Sequence, residues 1–189
     1  HQDFVSKFLL QEIKYELSVT TFKKDINYII HDLSWSGQWA WNRIAPEILK
    51  LVKNEPKNIF ILDKLLIIIQ GSSLTNELIE KIASRKCHTL KKHNHLVRWY
   101  AVWTGVAPEP AINSLQEYIN NIRDTKIQTR FAMLYVTNLL GDHRTEEVQV
   151  RDAFKSPKYL KSIYLLMHNY IRRDEDIDRT ESGTYTPNL

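Results

Sequence analysis

The stretch IFILDKLLIIIQG, residues 59–71, decides how the rest of the chain is read. Apolar side chains fill nearly every position, which suits a helix buried on several sides or a strand buried on both faces. The β-branched run Ile67, Ile68, Ile69 favours a strand locally. The surroundings decide for helix, because the flanking segments carry a helical period and no other stretch offers a partner strand. The expectation is therefore a central helix beginning at Ile59, with Gly71 as its C-cap.

Working toward the N-terminus, WSGQWAWNRIAPEILKLVKNEP (35–56) carries Pro46 inside an apolar pattern. Proline fits a first helical turn but breaks an interior. Either a helix kinks near Ala45 or a new one starts there, and Asn54 and Pro56 stop the pattern. Phe22, Ile26, Ile29, Ile30 and Leu33 fall on one helical face, with Thr20 or Thr21 as the cap. Phe4, Phe8, Leu9, Ile13 and Leu17 mark a helix before it.

Toward the C-terminus, Leu74, Leu78, Ile79 and Ile82 are again helically spaced. The stretch KCHTLKKHNHLVRW (86–99) reads as a basic loop leading into a helix from about His95 to Thr104, punctuated by Gly105 and Pro108. Two further faces follow, one from Ile112 to Ile122 and one from Ile127 to Leu139, the second closed by Gly141. The segment Glu146–Phe154 has no clear period. A last helix holds Tyr159, Leu160, Ile163, Tyr164, Met167 and Ile171, with Pro157 in its first turn.

Short connections predict antiparallel packing of consecutive helices. Helix pairs recur roughly every 35–45 residues, the range of HEAT-like arrays. The fold class expected is all-α: an irregular HEAT-like α-solenoid, or a helical bundle of antiparallel helix pairs. Residues 1–173 form one helical domain. Residues 174–189 form a polar tail, read as the cut start of a further segment. Without an initiator Met, and ending on TYTPNL, the chain reads as a piece of a longer protein.

Composition narrows the function classes. The 189 residues include a single cysteine, Cys87, so no internal disulfide can form and a reducing cytoplasm is the expected location. No apolar run approaches the length of about 18 residues that a membrane-spanning helix needs. The net charge is +4 and the pI about 9.0, with the cations spread among acids rather than gathered in one stripe. The densest basic set is Lys81, Arg85, Lys86, Lys91, Lys92 and Arg98, and these six are the candidate nucleic-acid contacts. The densest acidic set is Asp174, Glu175, Asp176 and Asp178.

No residue set identifies a reaction. Cys87, His88, His93 and His95 are metal-ligand types, but their spacing matches no standard zinc framework and adjacent Cys87 and His88 would strain to reach one ion. His93-Asn94-His95 only spells the name of a nuclease motif whose members stand far apart on a different fold. His31-Asp32 and Asp142-His143 lie near helix ends without a nucleophile, and His31 borders an apolar face, as a structural histidine would. No phosphate loop of either common kind is present. The sequence thus assigns no catalytic, cofactor-binding or metal residue.

Trp35 and Trp39, like Trp99 and Trp103, stand four residues apart. That is the spacing of core packing between helices, and equally of a stacking or docking surface. Any of the four that is exposed becomes a candidate protein contact.

The end of the chain adds a resemblance. IRRDEDIDR followed by SGTYTPNL, the preceding SPKYLKSIYLLMHNYI, and HLVRWYAVWTGVAPEPAINSL resemble segments in the helical regions of large bacterial NACHT-type NTPases of the STAND class. The resemblance covers the second half of the chain. It implies a helical-repeat region without the nucleotide site, which senses a trigger or holds an attached NTPase inactive, often in defence against phage. The function expected is a non-enzymatic protein-interaction module of a larger cytoplasmic protein, its partner a protein or another domain of the same chain. The alternative is a nucleic-acid-binding helical domain that uses the basic 81–98 stretch.

Overall fold

A computed structural model describes residues 2–20, 28–141 and 150–171. Among them the chain is all-helical: α1 (Gln2–Val19), α2 (Tyr28–Ser36), α3 (Gln38–Leu51), α4 (Ile59–Gly71), α5 (Asn76–Thr89), α6 (His93–Val106), α7 (Pro108–Asn120), α8 (Thr125–Leu140) and α9 (Pro157–Tyr170), with a 3₁₀ turn at Ala153–Lys155. Helices pack as hairpin pairs α1/α2, α3/α4, α5/α6 and α7/α8, and α9 lies on α8 and α7. The even-numbered helices form a continuous row, each touching the next, while α1 touches α3 and α7 touches α9. The odd-numbered row is not continuous, and the arrangement fits the expected all-α class, a helical bundle or an irregular solenoid of helix pairs. The proposed tail, residues 174–189, and the Asp142–His143 pair lie outside the described residues.

The stretch at 59–71 is helix α4. Asn58 caps it, its side chain accepting from the Phe60 amide at 2.9 Å. Gly71 does not act as the expected C-cap, since its φ is not positive and Ser72 takes that place. Its role is steric: a Cβ there would run into the Trp41 ring. Trp41 in turn donates from Nε1 to the Leu33 carbonyl at 2.7 Å, so one indole ties α2, α3 and α4 together.

Pro46 sits inside an unbroken α3. The helix tolerates it because Pro46 and Asn42, whose carbonyl loses its amide partner, are both exposed to water. The stretch at 86–99 is mostly helical rather than a loop: α5 runs through Thr89 and α6 starts at His93, two residues before the expected start. The α2 face begins, in the described residues, at Tyr28. The expected cap at Thr20 or Thr21 and the first part of that face, Phe22 and Ile26, involve residues 21–27, outside the described ones; within the described residues Glu16 of α1 accepts from the amides of Ile29 at 2.7 Å and Ile30 at 2.9 Å. A buried carboxylate at a helix N-terminus satisfies free amides and complements the helix dipole.

Helix α4 is buried on several sides, as expected, and α6 is enclosed more completely still. From His95 to Val106 every residue except Arg98 is buried. Gly105 lies within this helix rather than after it. A Cβ there would stand 2.8 Å from the Arg151 carbonyl oxygen, so the glycine admits the 150–151 backbone against α6.

Helix propensity alone would make Gly71→Ala stabilising by about 0.5–1 kcal/mol. The Trp41 contact reverses the sign, and a loss of about 1–3 kcal/mol is expected from overpacking. Urea unfolding should also show the loss shrinking in a Trp41→Leu background. Equal effects in both backgrounds would exclude the contact as the cause.

Candidate interaction surface

The four candidate tryptophans separate cleanly. Trp99 is fully buried and Trp103 is 4 % exposed, so neither presents a ring to a partner; both are corrected to core residues. Trp35 and Trp39 are 69 % and 66 % exposed. Their four-residue spacing is not one helical turn, because Gly37 separates them, Trp35 ending α2 and Trp39 opening α3. The Gly37 amide donates to the Leu33 carbonyl at 3.1 Å, and a Cβ on Gly37 would collide with the Leu33 backbone. Helix is interrupted for the single residue Gly37, and the indoles on either side of the break lie off the packed faces. Gln38 Nε2 donates to the Trp35 carbonyl at 3.0 Å and steadies the bend.

The six basic candidates do not form one surface. Lys86 is buried: its Nζ lies 2.5 Å from Glu55 Oε2 and 3.0 Å from the Lys53 carbonyl, above the Trp99 ring. Arg98 forms a two-pronged pair with Asp63, Nη2 to Oδ2 at 2.9 Å, and also donates to the Asn94 carbonyl. Both charges are spent within the fold and are withdrawn as contacts. Lys81, Arg85, Lys91 and Lys92 are exposed around the end of α5 and the turn into α6.

The residues that the sequence grouped for metal chemistry diverge. Cys87 is buried, and burial pushes its thiol well above the usual range, which leaves it protonated and a poor nucleophile at neutral pH. His88 is exposed, its Nδ1 2.6 Å from the Ser84 carbonyl. His93 stands edge-on to Phe131 and Tyr118. His95 is buried and donates from Nε2 to the Pro56 carbonyl at 3.0 Å. Among the described residues no group of three or more His, Cys, Asp or Glu side chains is placed to hold a metal ion. His31 is not the structural histidine expected: its side chain is more than half exposed, 3.3 Å from Asp32.

Two polar clasps position these surfaces, and sequence reasoning missed both. Glu55, in the turn between α3 and α4, accepts from Lys86 and from Trp99 Nε1 at 3.0 Å, while His95 holds the next carbonyl. Arg151 holds the turn between α4 and α5, donating to the carbonyls of Gln70 at 3.1 Å and Ser72 at 2.7 Å and to Asn76 Oδ1 at 2.6 Å. A cavity of about 480 Å³ opens between the first turns of α4 and α6, lined by Asn58, Phe60, Lys92, His93, Asn94 and His95. Deeper in the core, burial pushes the Tyr100 hydroxyl up to about 12 and Tyr135 higher still, so neither ionises near neutrality. No helix among the described residues is long and apolar enough to cross a membrane. No protein-family model matches this chain, and neither does any curated protein or solved structure.

The Glu55 clasp predicts a large asymmetry in mutant stability. Glu55→Ala leaves a buried ammonium without its counter-ion, held by the Lys53 carbonyl alone, and a buried indole N–H without an acceptor, and a loss of about 3–5 kcal/mol is expected. Lys86→Met removes the charge and keeps the apolar stem. In chemical unfolding the double variant should therefore be more stable than Glu55→Ala alone. A double variant no better than Glu55→Ala would show that the ammonium is not the source of the loss.

Proposed function

We propose that this chain is a non-enzymatic helical-repeat module that recognises a protein, or another domain of its own polypeptide, through the corner at Trp35 and Trp39. The observation that carries the reading is the exposure of two indoles four residues apart, one on each side of the helix break at Gly37. Large rigid aromatics dominate binding hot spots, because they bury much area for little loss of side-chain freedom. A solenoid supplies a rigid, extended scaffold for such a corner. The parent protein, on the sequence resemblance, is a cytoplasmic NTPase of the STAND class acting in bacterial defence, and the module then senses a trigger or restrains the NTPase.

The double substitution Trp35→Ala/Trp39→Ala should weaken partner binding by about 2 kcal/mol or more. Stability should change by no more than about 0.5 kcal/mol per site, as for exposed positions generally. Titration calorimetry against the parent's own NTPase domain, paired with unfolding of the free module, reads both quantities. Undiminished binding by the double variant would remove the corner from the interface.

A second reading, nucleic-acid binding, is favoured by the exposure of Lys81, Arg85, Lys91 and Lys92. Burial of Lys86 and the Asp63 partner of Arg98 count against it. Fluorescence anisotropy with labelled single- and double-stranded DNA and RNA should show no binding, even at low salt. Tight binding that falls steeply with salt and disappears in Lys91→Glu/Lys92→Glu would put the second reading first.

A further inference from the structure

Helix α1 buries one side against α2 and α3 through Ile13, Glu16 and the partly buried Leu9, Leu10 and Leu17. With about 100° between successive residues, Phe4, Phe8, Gln11 and Tyr15 fall on a narrow stripe on the opposite side. The three aromatics are exposed, Phe4 at 74 %, Tyr15 at 61 % and Phe8 at 49 %. Core packing therefore does not account for them. Their order is that of a coiled-coil seam: Phe4 and Gln11 at the d position, Phe8 and Tyr15 at a, and Ser18 at the next d.

The flanks of the stripe carry charge in the matching order. Lys7 occupies the g position and Glu12 the e position that follows it, five residues on. In a parallel pair of helices those two positions face each other across the seam, so Lys7 of one chain meets Glu12 of the other, twice by symmetry. In an antiparallel pair like flanks meet, and Lys7 of one chain would confront Lys14 of the other. Neither Lys7 nor Glu12 is engaged by another group among the described residues.

We propose that the outward face of α1 is a self-association surface, on which a second copy of this chain pairs α1 with α1 in parallel and in register. The two bodies then project to opposite sides of the seam, and the Trp35–Trp39 corner stays outside it. The inference goes beyond the interaction reading above and does not depend on it.

Sedimentation equilibrium of the 189-residue chain over a range of concentrations is the first test, with a dimer of the 22.3 kDa chain expected. Phe8→Asp should return it to monomer with its helical circular dichroism intact, because Phe8 points away from the body. Lys7→Glu should weaken the dimer several-fold, and Lys7→Glu/Glu12→Lys should restore it. Ser18→Cys should form an intermolecular disulfide readily, since like positions face each other in a parallel seam and the native Cys87 is buried. A monomer at every concentration would overturn the proposal and leave the stripe to a different protein. So would a dimer indifferent to Phe8→Asp, a charge swap without rescue, or failure of Ser18→Cys to cross-link, which would mark an antiparallel or unrelated contact.

Discussion

Helix α6 has almost no solvent face, and that constraint shapes everything packed on it. Burying a helix all round removes water from its side chains and from the turns of the helices that cover it. Each polar group near it then needs a partner inside the protein. Glu55 answers for Lys86 and Trp99, Pro56 for His95, and Asp63 for Arg98. Among the described residues only Trp103 Nε1 is left buried without one. The basic residues closest to α6 are therefore consumed by its burial, and what remains for a ligand lies at the periphery. A charged stretch that looks like a binding site in one dimension becomes, in three, the polar lining of a core.

The same constraint explains how the chain uses its few glycines. Gly71 and Gly105 lie inside or at the ends of helices and mark close approach, by the Trp41 ring in one case and by the 150–151 backbone in the other. Gly141, at φ 82°, is the one described glycine whose conformation itself favours the residue. Close approach through glycine lets large aromatics enter a two-row array without forcing the rows apart. Trp41 is absorbed in this way. Trp35 and Trp39 have no such recess and stay in water.

How much of this was legible follows from which signals are local. Helix type was legible at 59–71, because flanking periodicity and the lack of a partner strand both act over a few turns. The identity of the fully buried helix was not: α4 is the more apolar string, yet α6, with His95, Arg98 and Thr104, is the one enclosed. Its polar groups find partners up to 44 residues away, as in the Trp99–Glu55 bond, and no window of sequence contains both members. Pro46 could be placed only once Asn42 was seen to face water. Phe4 and Phe8 share a helix with Ile13 but stand on its opposite side, and the step of about 100° per residue puts that separation in the sequence itself. The separation of Trp35 from Trp99 needed the tertiary structure, since both pairs share one spacing.

The clasps also determine where the array is cooperative. In an ideal solenoid each repeat touches only its neighbours, and stability is close to a sum of local terms. Arg151 breaks that rule by reaching 81 residues back to the turn between α4 and α5, while the Thr129 hydroxyl donates to the Tyr170 carbonyl at 2.8 Å. The segment from α4 to α9 is thereby closed on itself and should open as one unit. At the α1–α3 end the described ties include the Glu16 cap on α2, the Trp41–Leu33 bond, Trp41 seated against Gly71, and the Ser73 amide donating to Asn42 Oδ1. Phe60 and Tyr164 are exposed singly on α4 and α9, while the α1 stripe and the Trp35–Trp39 pair belong to the α1–α3 end. A partner that covered either would bind the folded end and not the frayed one, so binding there would add directly to local stability. On the interaction reading proposed above, such a partner would clamp the end that the α4–α9 ties do not reach.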